Sequence, residues 1–176
     1  QIINLFGGPG SGKSTTMAGV FNQLKTLDYN VEFISEYAKD VAWENNVDLL
    51  QNQLHVFSEQ FRRQWRLIGQ VDYIITDSPL LLSSIYYEHY MDRSKNILFS
   101  KKYRNQSIEF FDSTFDEFNN INFVIERAKK YNPLGRVQTE EQSKEIDLLI
   151  KEKINQRNIQ FMSTNSIDAV REDRKS

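Results

Sequence analysis

The stretch GGPGSGKSTT, from Gly7 to Thr16, decides the fold because it fits the pattern G-x-x-x-x-G-K-[ST]. The apolar segment IINLF (residues 2–6) precedes it, and a helical pattern follows it. A strand, this loop and a helix in that order form a phosphate-binding loop, or P-loop. Its glycines allow a tight turn, its backbone N–H groups point at phosphate oxygens, and the start of the helix adds a partial positive charge.

The loop predicts a site for a nucleoside triphosphate and Mg²⁺, with ATP as the expected nucleotide because we find no guanine-reading motif. We expect Lys13 to reach the β- and γ-phosphates and the Ser14 hydroxyl to bind Mg²⁺. Asp77 follows the strand-like segment VDYIIT and is the expected second metal ligand; the alternative is a turn residue before Pro79. The residues expected to contact the nucleotide are Gly8, Pro9, Gly10, Ser11, Gly12, Lys13, Ser14 and Thr15.

Length and composition indicate one globular domain over residues 1–176, with a formal net charge of -2. No overall basic field therefore draws the chain to nucleic acid or to anionic lipid. The absence of cysteine excludes a disulfide framework, a thiolate metal site and a thiol nucleophile. No apolar run is long enough to span a membrane, and we expect a cytoplasmic protein. Because the chain begins inside an apolar segment, we expect a few residues before Gln1.

Strand-like and helical segments alternate along the chain, which predicts an α/β fold with a parallel sheet. Apolar residues from Leu50 to Ile68 recur every three or four positions, which indicates a helix of about five turns. A capping box at Thr139 predicts a helix through roughly Gln156. We expect residues 79–120 to be mostly helical but irregular in the middle, and we expect a short helix that frays at the end of the chain. The strand-like segments are residues 2–6, 31–35, 71–76, 121–126 and 159–164.

Two features predict what lies opposite the phosphates. Glu36 ends the second strand-like segment, where a carboxylate can accept the proton of an acceptor hydroxyl; the alternative is a surface residue that caps the next helix. The cations Arg127, Lys129, Lys130 and Arg136 flank a Pro and Gly turn after the fourth segment. We expect residues 127–138, the lid segment, to close over the triphosphate, with Arg127 and Arg136 binding phosphate; the alternative is a solvated loop.

The helix after Leu50 offers a wall for the acceptor. An amide side chain can read the edge of a base or of a nicotinamide, and an aromatic side chain can stack on a ring. The alternative for these residues is a place in the core or on the surface. The expected acceptor-binding residues are Glu36, Tyr37, Trp43, Gln53, Phe57 and Gln60.

Four motifs in this order, GGPGSGKST, EYAKD, ITDSPLLLS and ERAKKYNPLGRVQTEEQSKEID, resemble a family of P-loop ATPase/kinase domains, many of them phage-encoded. The family is similar to the ribosylnicotinamide kinase domain of bacterial NAD metabolism and, more distantly, to deoxynucleoside kinases. The resemblance implies a P-loop three-layer sandwich whose five-stranded parallel sheet is ordered 2-3-1-4-5. It also implies a kinase that acts on a nucleoside, a nucleotide or a related ring compound. Deoxynucleoside kinases have Asp-Arg-Ser where this chain has Asp77, Ser78 and Pro79.

Two further functions stay open. Some phage relatives resemble kinases of hydroxymethylated pyrimidines within DNA, and the segment Arg93–Arg104 combines five cations with two aromatic residues, as strand-binding surfaces do. The other is an NTP-hydrolysing switch or binding module. The sequence does not reveal the acceptor, and it does not reveal the oligomeric state.

Overall fold

Strands and helices alternate through most of the chain, as the apolar pattern predicts. The computed structural model describes residues 1–93, 101–128, 130–132, 134 and 137–165. The strands are β1 (Ile2–Phe6), β2 (Val31–Ile34), β3 (Tyr73–Thr76), β4 (Asn120–Glu126) and β5 (Met162–Asn165). The helices are α1 (Lys13–Thr26), α2 (Tyr37–Trp43), α3 (Gln53–Trp65), α4 (Leu81–Arg93), α5 (Lys101–Asp116) and α6 (Glu140–Gln156), with a 3₁₀ turn over Val47–Gln51.

The five strands form one parallel sheet in the order β2-β3-β1-β4-β5, which confirms the expected fold. Because β3 lies between β1 and β2, the carboxyl ends of these three strands meet at one edge. That edge carries the P-loop after β1, Glu36 after β2 and Asp77 after β3. Ligands bind outside this edge in open parallel sheets, so the topology brings the three predicted features together.

Neighbouring side chains of β1 point to opposite faces of the sheet, so both faces carry apolar residues, and helices cover both faces. Leu5 packs with Met17 of α1, and Phe6 packs with Leu80, Phe111 and residues of α6. Both side chains are fully buried, and burial of such a side chain contributes about 1.5 to 3 kcal/mol. Two apolar cores therefore fix the strand from which the P-loop emerges.

Two helix boundaries follow from their caps. The predicted capping box is present at Thr139, whose side chain accepts from the Gln142 backbone N–H, and α6 ends at Gln156 as expected. The helix after Leu50 is shorter than predicted. It begins at Gln53, because the Asn52 side chain accepts from the His55 backbone N–H and the residues before Asn52 form the 3₁₀ turn. Its apolar stripe also fades, with Trp65 61% exposed.

Within the described residues, no helix has the length and apolar character needed to cross a bilayer. The short helix expected at the end of the chain lies outside the described residues, as does the middle of the 79–120 stretch (residues 94–100).

Candidate active site

The P-loop is wrapped around the Lys13 side chain. Gly10 and Gly12 have φ angles of 79° and 110°, values that residues with a Cβ rarely adopt. The Lys13 ammonium donates to the carbonyl oxygens of Gly7 (2.7 Å) and Gly8 (3.2 Å) and is largely buried. The loop therefore has a defined shape, with one cation fixed at its centre.

Ser14 and Asp77 lie side by side, as the sequence predicts for a metal-binding pair. The Ser14 hydroxyl donates to Asp77 Oδ2 at 2.8 Å. Asp77 is only 3% exposed, and its Oδ1 is buried without a hydrogen-bond partner in the described part of the chain. A buried carboxylate oxygen without a partner is costly, so this pair is suited to a ligand that supplies positive charge.

Glu36 occupies the N-cap position of α2, but its side chain makes no capping hydrogen bond. Its side chain instead lines the cavity in front of the P-loop. The alternative interpretation, a glutamate that caps the next helix, is therefore not what the geometry favours. Both neighbours of Glu36 are held from behind by α3.

Gln60 of α3 holds the backbone on each side of Glu36. Its Oε1 accepts from the Tyr37 N–H at 3.0 Å, and its Nε2 lies 3.4 Å from the Ser35 carbonyl oxygen. The same Nε2 lies 3.5 Å from the hydroxyl of Thr76, the residue before Asp77. One buried carboxamide thus links the ends of β2 and β3.

Arg63, one turn further along α3, adds a second brace. Its guanidinium donates to the Ser35 carbonyl oxygen at 3.3 Å and forms an ion pair with Asp40 of α2 at 2.6 Å. It also lies over the Tyr37 ring, 5.1 Å from the ring centre. The position of Glu36 is therefore set by two side chains of the neighbouring helix.

A cavity of about 370 Å³, here called the loop cavity, extends from the P-loop to α2, α3 and α4. The P-loop contributes Lys13 and Ser14 at one end, and Glu36 lies on the wall. The volume falls in the range of small-ligand sites. The side chains beyond Glu36 include Ala42, Trp43, Leu50, Gln53, Val56, Leu82, Ser83 and Tyr86.

Gln53 is a polar residue in this mostly apolar wall. Its Nε2 donates to the Leu50 carbonyl oxygen at 2.5 Å, which fixes the orientation of the amide. Its Oε1 is buried and has no partner among the described residues. Gln53 therefore places an oriented, buried carboxamide at the wall of the loop cavity. Trp43 is 57% exposed and offers an aromatic face to the same space.

The lid segment runs along one side of the loop cavity. Its described residues Lys130, Asn132, Leu134, Val137 and Gln138 line the space. Lys129 and Arg136 lie outside the described residues.

Arg127, at the start of the lid segment, differs from the expectation. Its guanidinium does not line the loop cavity among the described residues but donates to Asp147 of α6 and to the carbonyl oxygens of Pro9 and Ser143, both at 3.0 Å. The partner acid lies 20 residues further along the chain, so no local pattern predicts it.

Three expected acceptor-binding residues are not among the described lining residues of the loop cavity. Phe57 packs in the core against Phe61 and Phe111, because the apolar stripe of α3 faces α5. Gln60 is occupied by the backbone, as above. The Tyr37 hydroxyl contacts His55 Nε2 at 2.8 Å, and burial and the nearby carboxylate of Glu59 raise the pKa of Tyr37, which keeps the hydroxyl protonated.

Sequence reasoning missed the contribution of α4 to the loop cavity. Ser83 and Tyr86 are three residues apart and follow Asp77 closely, so they share a helix face beside the site. That spacing after a strand-end aspartate was the available signal. Of the basic segment Arg93–Arg104, residues 94–100 lie outside the described residues, and Lys102, Tyr103 and Arg104 are not among the lining residues of the loop cavity.

Solved structures with the same fold include a NadR protein and a deoxyadenosine kinase. A NadR protein in complex with NR has a TM-score of 0.69 and 16% identity, and the alignment covers 98% of this chain and 51% of that one. This chain therefore spans about half the length of that NadR protein. Deoxyadenosine kinase from M. mycoides has TM-scores of 0.56 with bound dATP and 0.57 with bound dCTP. Its identities are 19% and 18%, and both alignments cover 97% of this chain and 95% of the kinase.

At these identities the likenesses establish the fold alone. A comparison with curated protein sequences gave no match. A family profile described as an AAA domain, by contrast, matches residues 2–174, nearly the whole length. That match agrees with the P-loop, the strand order and the Ser14–Asp77 pair, and the chain accordingly belongs to this AAA domain family.

Proposed function

We propose that this single domain is an ATP- and Mg²⁺-dependent kinase that transfers the γ-phosphate to a hydroxyl of a nucleoside, nucleotide or related ring compound. The observation that carries the proposal is the loop cavity, in which the P-loop and a non-capping Glu36 face one space beside an apolar wall. A hydrolysing switch needs a site for water, whereas this cavity is large enough for a second ring-bearing molecule. The fold shared with NadR and with deoxyadenosine kinase supports this choice.

Each group has a role in this proposal. The Lys13 ammonium and the loop N–H groups hold the phosphates, and Glu36 accepts the proton of the acceptor hydroxyl. Lys130 of the lid segment, with Arg136 as a further candidate, adds positive charge above the transferring group. Because catalysis of phosphoryl transfer depends mostly on positioning, the braces from Gln60 and Arg63 matter as much as Glu36 itself.

Ser14 and Asp77 fit a magnesium ion. Hard cations prefer oxygen ligands, and the Ser14 hydroxyl is an oxygen ligand, as is Asp77 Oδ1, which has no hydrogen-bond partner among the described residues. A hydroxyl that donates its proton to Asp77 also keeps its lone pairs for a cation. No cluster of three acidic or histidine side chains occurs within the described residues, so phosphate oxygens would complete the ligand set. When bound, the ion neutralises charge on the β- and γ-phosphates.

The acceptor is expected to carry a ring with an N–H group. Gln53 Oε1 is an oriented acceptor without a partner in the described residues, and a substrate N–H would satisfy it. Trp43 provides a face on which the ring can stack. A sugar hydroxyl of such a compound would then point toward Glu36.

A panel of acceptors tests the proposal. Labelled ATP is offered with nucleosides, nucleoside monophosphates, nicotinamide riboside and DNA containing hydroxymethylated pyrimidines, and transfer of the label is scored. Transfer to a small molecule supports the proposal, and transfer to DNA alone favours the DNA kinase. Rapid ATP hydrolysis without any acceptor, with nucleotide-dependent assembly in gel filtration, favours a switch.

Glu36→Gln isolates the base. We expect it to abolish transfer and to leave ATP binding intact. Glu32→Gln is the matched control, because Glu32 lies on β2, the strand that precedes Glu36, is exposed and pairs with Lys25. Full activity in Glu36→Gln would exclude the base assignment.

A further inference from the structure

Arg127 and Asp147 form an ion pair directly beneath the P-loop. Asp147 uses both carboxylate oxygens: Oδ1 accepts from the Gly8 backbone N–H at 2.5 Å, and Oδ2 accepts from Arg127 Nε. The two remaining guanidinium nitrogens donate to the carbonyl oxygens of Pro9 and Ser143. We call these five residues the α6 clasp. It joins the P-loop to a helix that lies about 140 residues later in the chain.

The contact is close enough to require glycine at position 8. A Cβ there would lie 2.8 Å from Asp147 Oδ1 and 2.9 Å from Arg127 Nη2, and still closer to the Ser143 carbonyl oxygen. Real Cβ atoms essentially never approach backbone oxygen so closely. The first half of the P-loop therefore packs closely against α6, in addition to the hydrogen bonds that join them.

The clasp also gathers the two ends of the lid segment. Arg127 is its first residue, and Ser143 lies in the first turn of α6, just after the lid segment ends. Arg127 therefore joins the start of the lid segment both to Pro9 of the P-loop and to Ser143 in the first turn of α6.

We propose that Asp147 and Arg127 are positioning residues that hold the P-loop in its phosphate-binding shape, and that Arg127 does not act as a phosphate ligand. All three guanidinium nitrogens of Arg127 already have protein acceptors, and its charge is balanced by Asp147. Both side chains are mostly buried, so solvent screens the pair little. This inference rests on the proposed nucleotide site but not on the identity of the acceptor.

A double-mutant cycle on nucleotide affinity tests the assignment. The protein and its variants Asp147→Asn, Arg127→Lys and the combination are titrated with a fluorescent ATP analogue and Mg²⁺ in the absence of acceptor. An asparagine at position 147 has one acceptor oxygen, so it can accept from only one of the two donors that Asp147 binds. A lysine at position 127 lacks the planar guanidinium whose two terminal nitrogens donate to two carbonyl oxygens. Each single change should weaken binding about tenfold, within the range for residues in direct contact, and the double variant should be little worse.

The matched control is Glu126→Gln. Glu126 is the last residue of β4 and pairs with Lys151 of α6 at 2.8 Å, so it joins the neighbouring position to the same helix, but without the P-loop contacts of the clasp. It should bind the analogue as the unchanged protein does. Thermal unfolding without nucleotide identifies any variant that fails to fold. If Asp147→Asn fails to fold, the nucleotide affinity of Arg127→Lys alone decides the test.

The outcomes separate the two roles of Arg127. If Arg127 binds phosphate, Asp147→Asn releases it, and affinity stays the same or rises; that result, or additive losses in the cycle, would overturn the proposal. An equal loss in Glu126→Gln would also overturn it, because a general strand–helix tie would then suffice. If the unchanged protein binds the analogue but phosphorylates no acceptor, the kinase proposal fails and the clasp stands.

Discussion

We predict that two substitutions in the Ser14–Asp77 pair change the free energy of unfolding in opposite directions. Asp77→Asn removes a buried charge whose Oδ1 has no partner in the described structure, so the nucleotide-free protein should gain about 1 to 2 kcal/mol. Ser14→Ala removes the hydroxyl that donates to Asp77 Oδ2 at 2.8 Å and leaves the charge in place. That variant should lose about 1 to 3 kcal/mol.

Thermal unfolding measures both effects. In a chain of 176 residues each kcal/mol shifts Tm by about 2 to 4 °C, so Tm should rise in Asp77→Asn and fall in Ser14→Ala. Added Mg²⁺ and ATP at about 100 times Kd should stabilise the unchanged protein by about 2.7 kcal/mol, or roughly 5 to 11 °C. Both variants should lose most of that ligand-induced shift, because each removes one expected metal ligand.

The control is Ser107→Ala, a buried serine of α5 whose hydroxyl donates to the Tyr103 carbonyl oxygen of the same helix. It should keep the full ligand-induced shift. The reasoning is refuted if Asp77→Asn lowers Tm without ligand, or if that variant keeps the full shift with Mg²⁺ and ATP. Repeating the titration with ATP and a chelator shows how much of the shift depends on the metal.

Three further predictions follow, two for α3 beside the site and one for the ion pair between β4 and α6. Gln60→Leu should lower kcat about 10- to 100-fold with little change in ATP affinity, because the backbone around Glu36 loses its brace; unchanged kcat would contradict this. Gln53→Leu should raise KM for the acceptor about 10-fold or more and leave nucleotide-free stability unchanged, as measured by kinetics and thermal unfolding. The hydrogen bond from Lys151 lowers the pKa of Glu126 below 4.5, so its contribution to folding is present above that pH and fades as pH falls through the lowered value. Glu126→Gln should therefore cost less than about 1 kcal/mol at pH 7, since both side chains are more than a third exposed. In acid unfolding the difference between the variant and the unchanged protein should disappear once the pH has fallen below the lowered pKa of Glu126.

The sequence predicted the parts of the site that depend on local pattern and strand order. The P-loop motif implies its own geometry, and a capping box needs residues only three positions apart, as Thr139 and Gln142 are. The pairing of Ser14 with Asp77 followed from the rule that ligands gather at the carboxyl edge of a parallel sheet.

What the sequence could not predict depends on which neighbour a side chain meets. The helical period shows that Phe57 and Gln60 face inward, but not that one meets α5 and the other meets the end of β2. In the same way, a cation within a basic stretch looks available for phosphate. Only the fold reveals that Asp147 has already engaged Arg127.

The two glutamines of α3 have a joint consequence for selectivity. Gln53 and Gln60 lie seven residues apart, which is about 10.5 Å along a stiff rod. A poorly fitting compound that tilts or slides this rod at Gln53 would disturb the Gln60 bonds to the backbone around Glu36. Recognition of the acceptor at Gln53 and the position of Glu36 would then change together. A compound that fits poorly would therefore have a lower kcat as well as a higher KM.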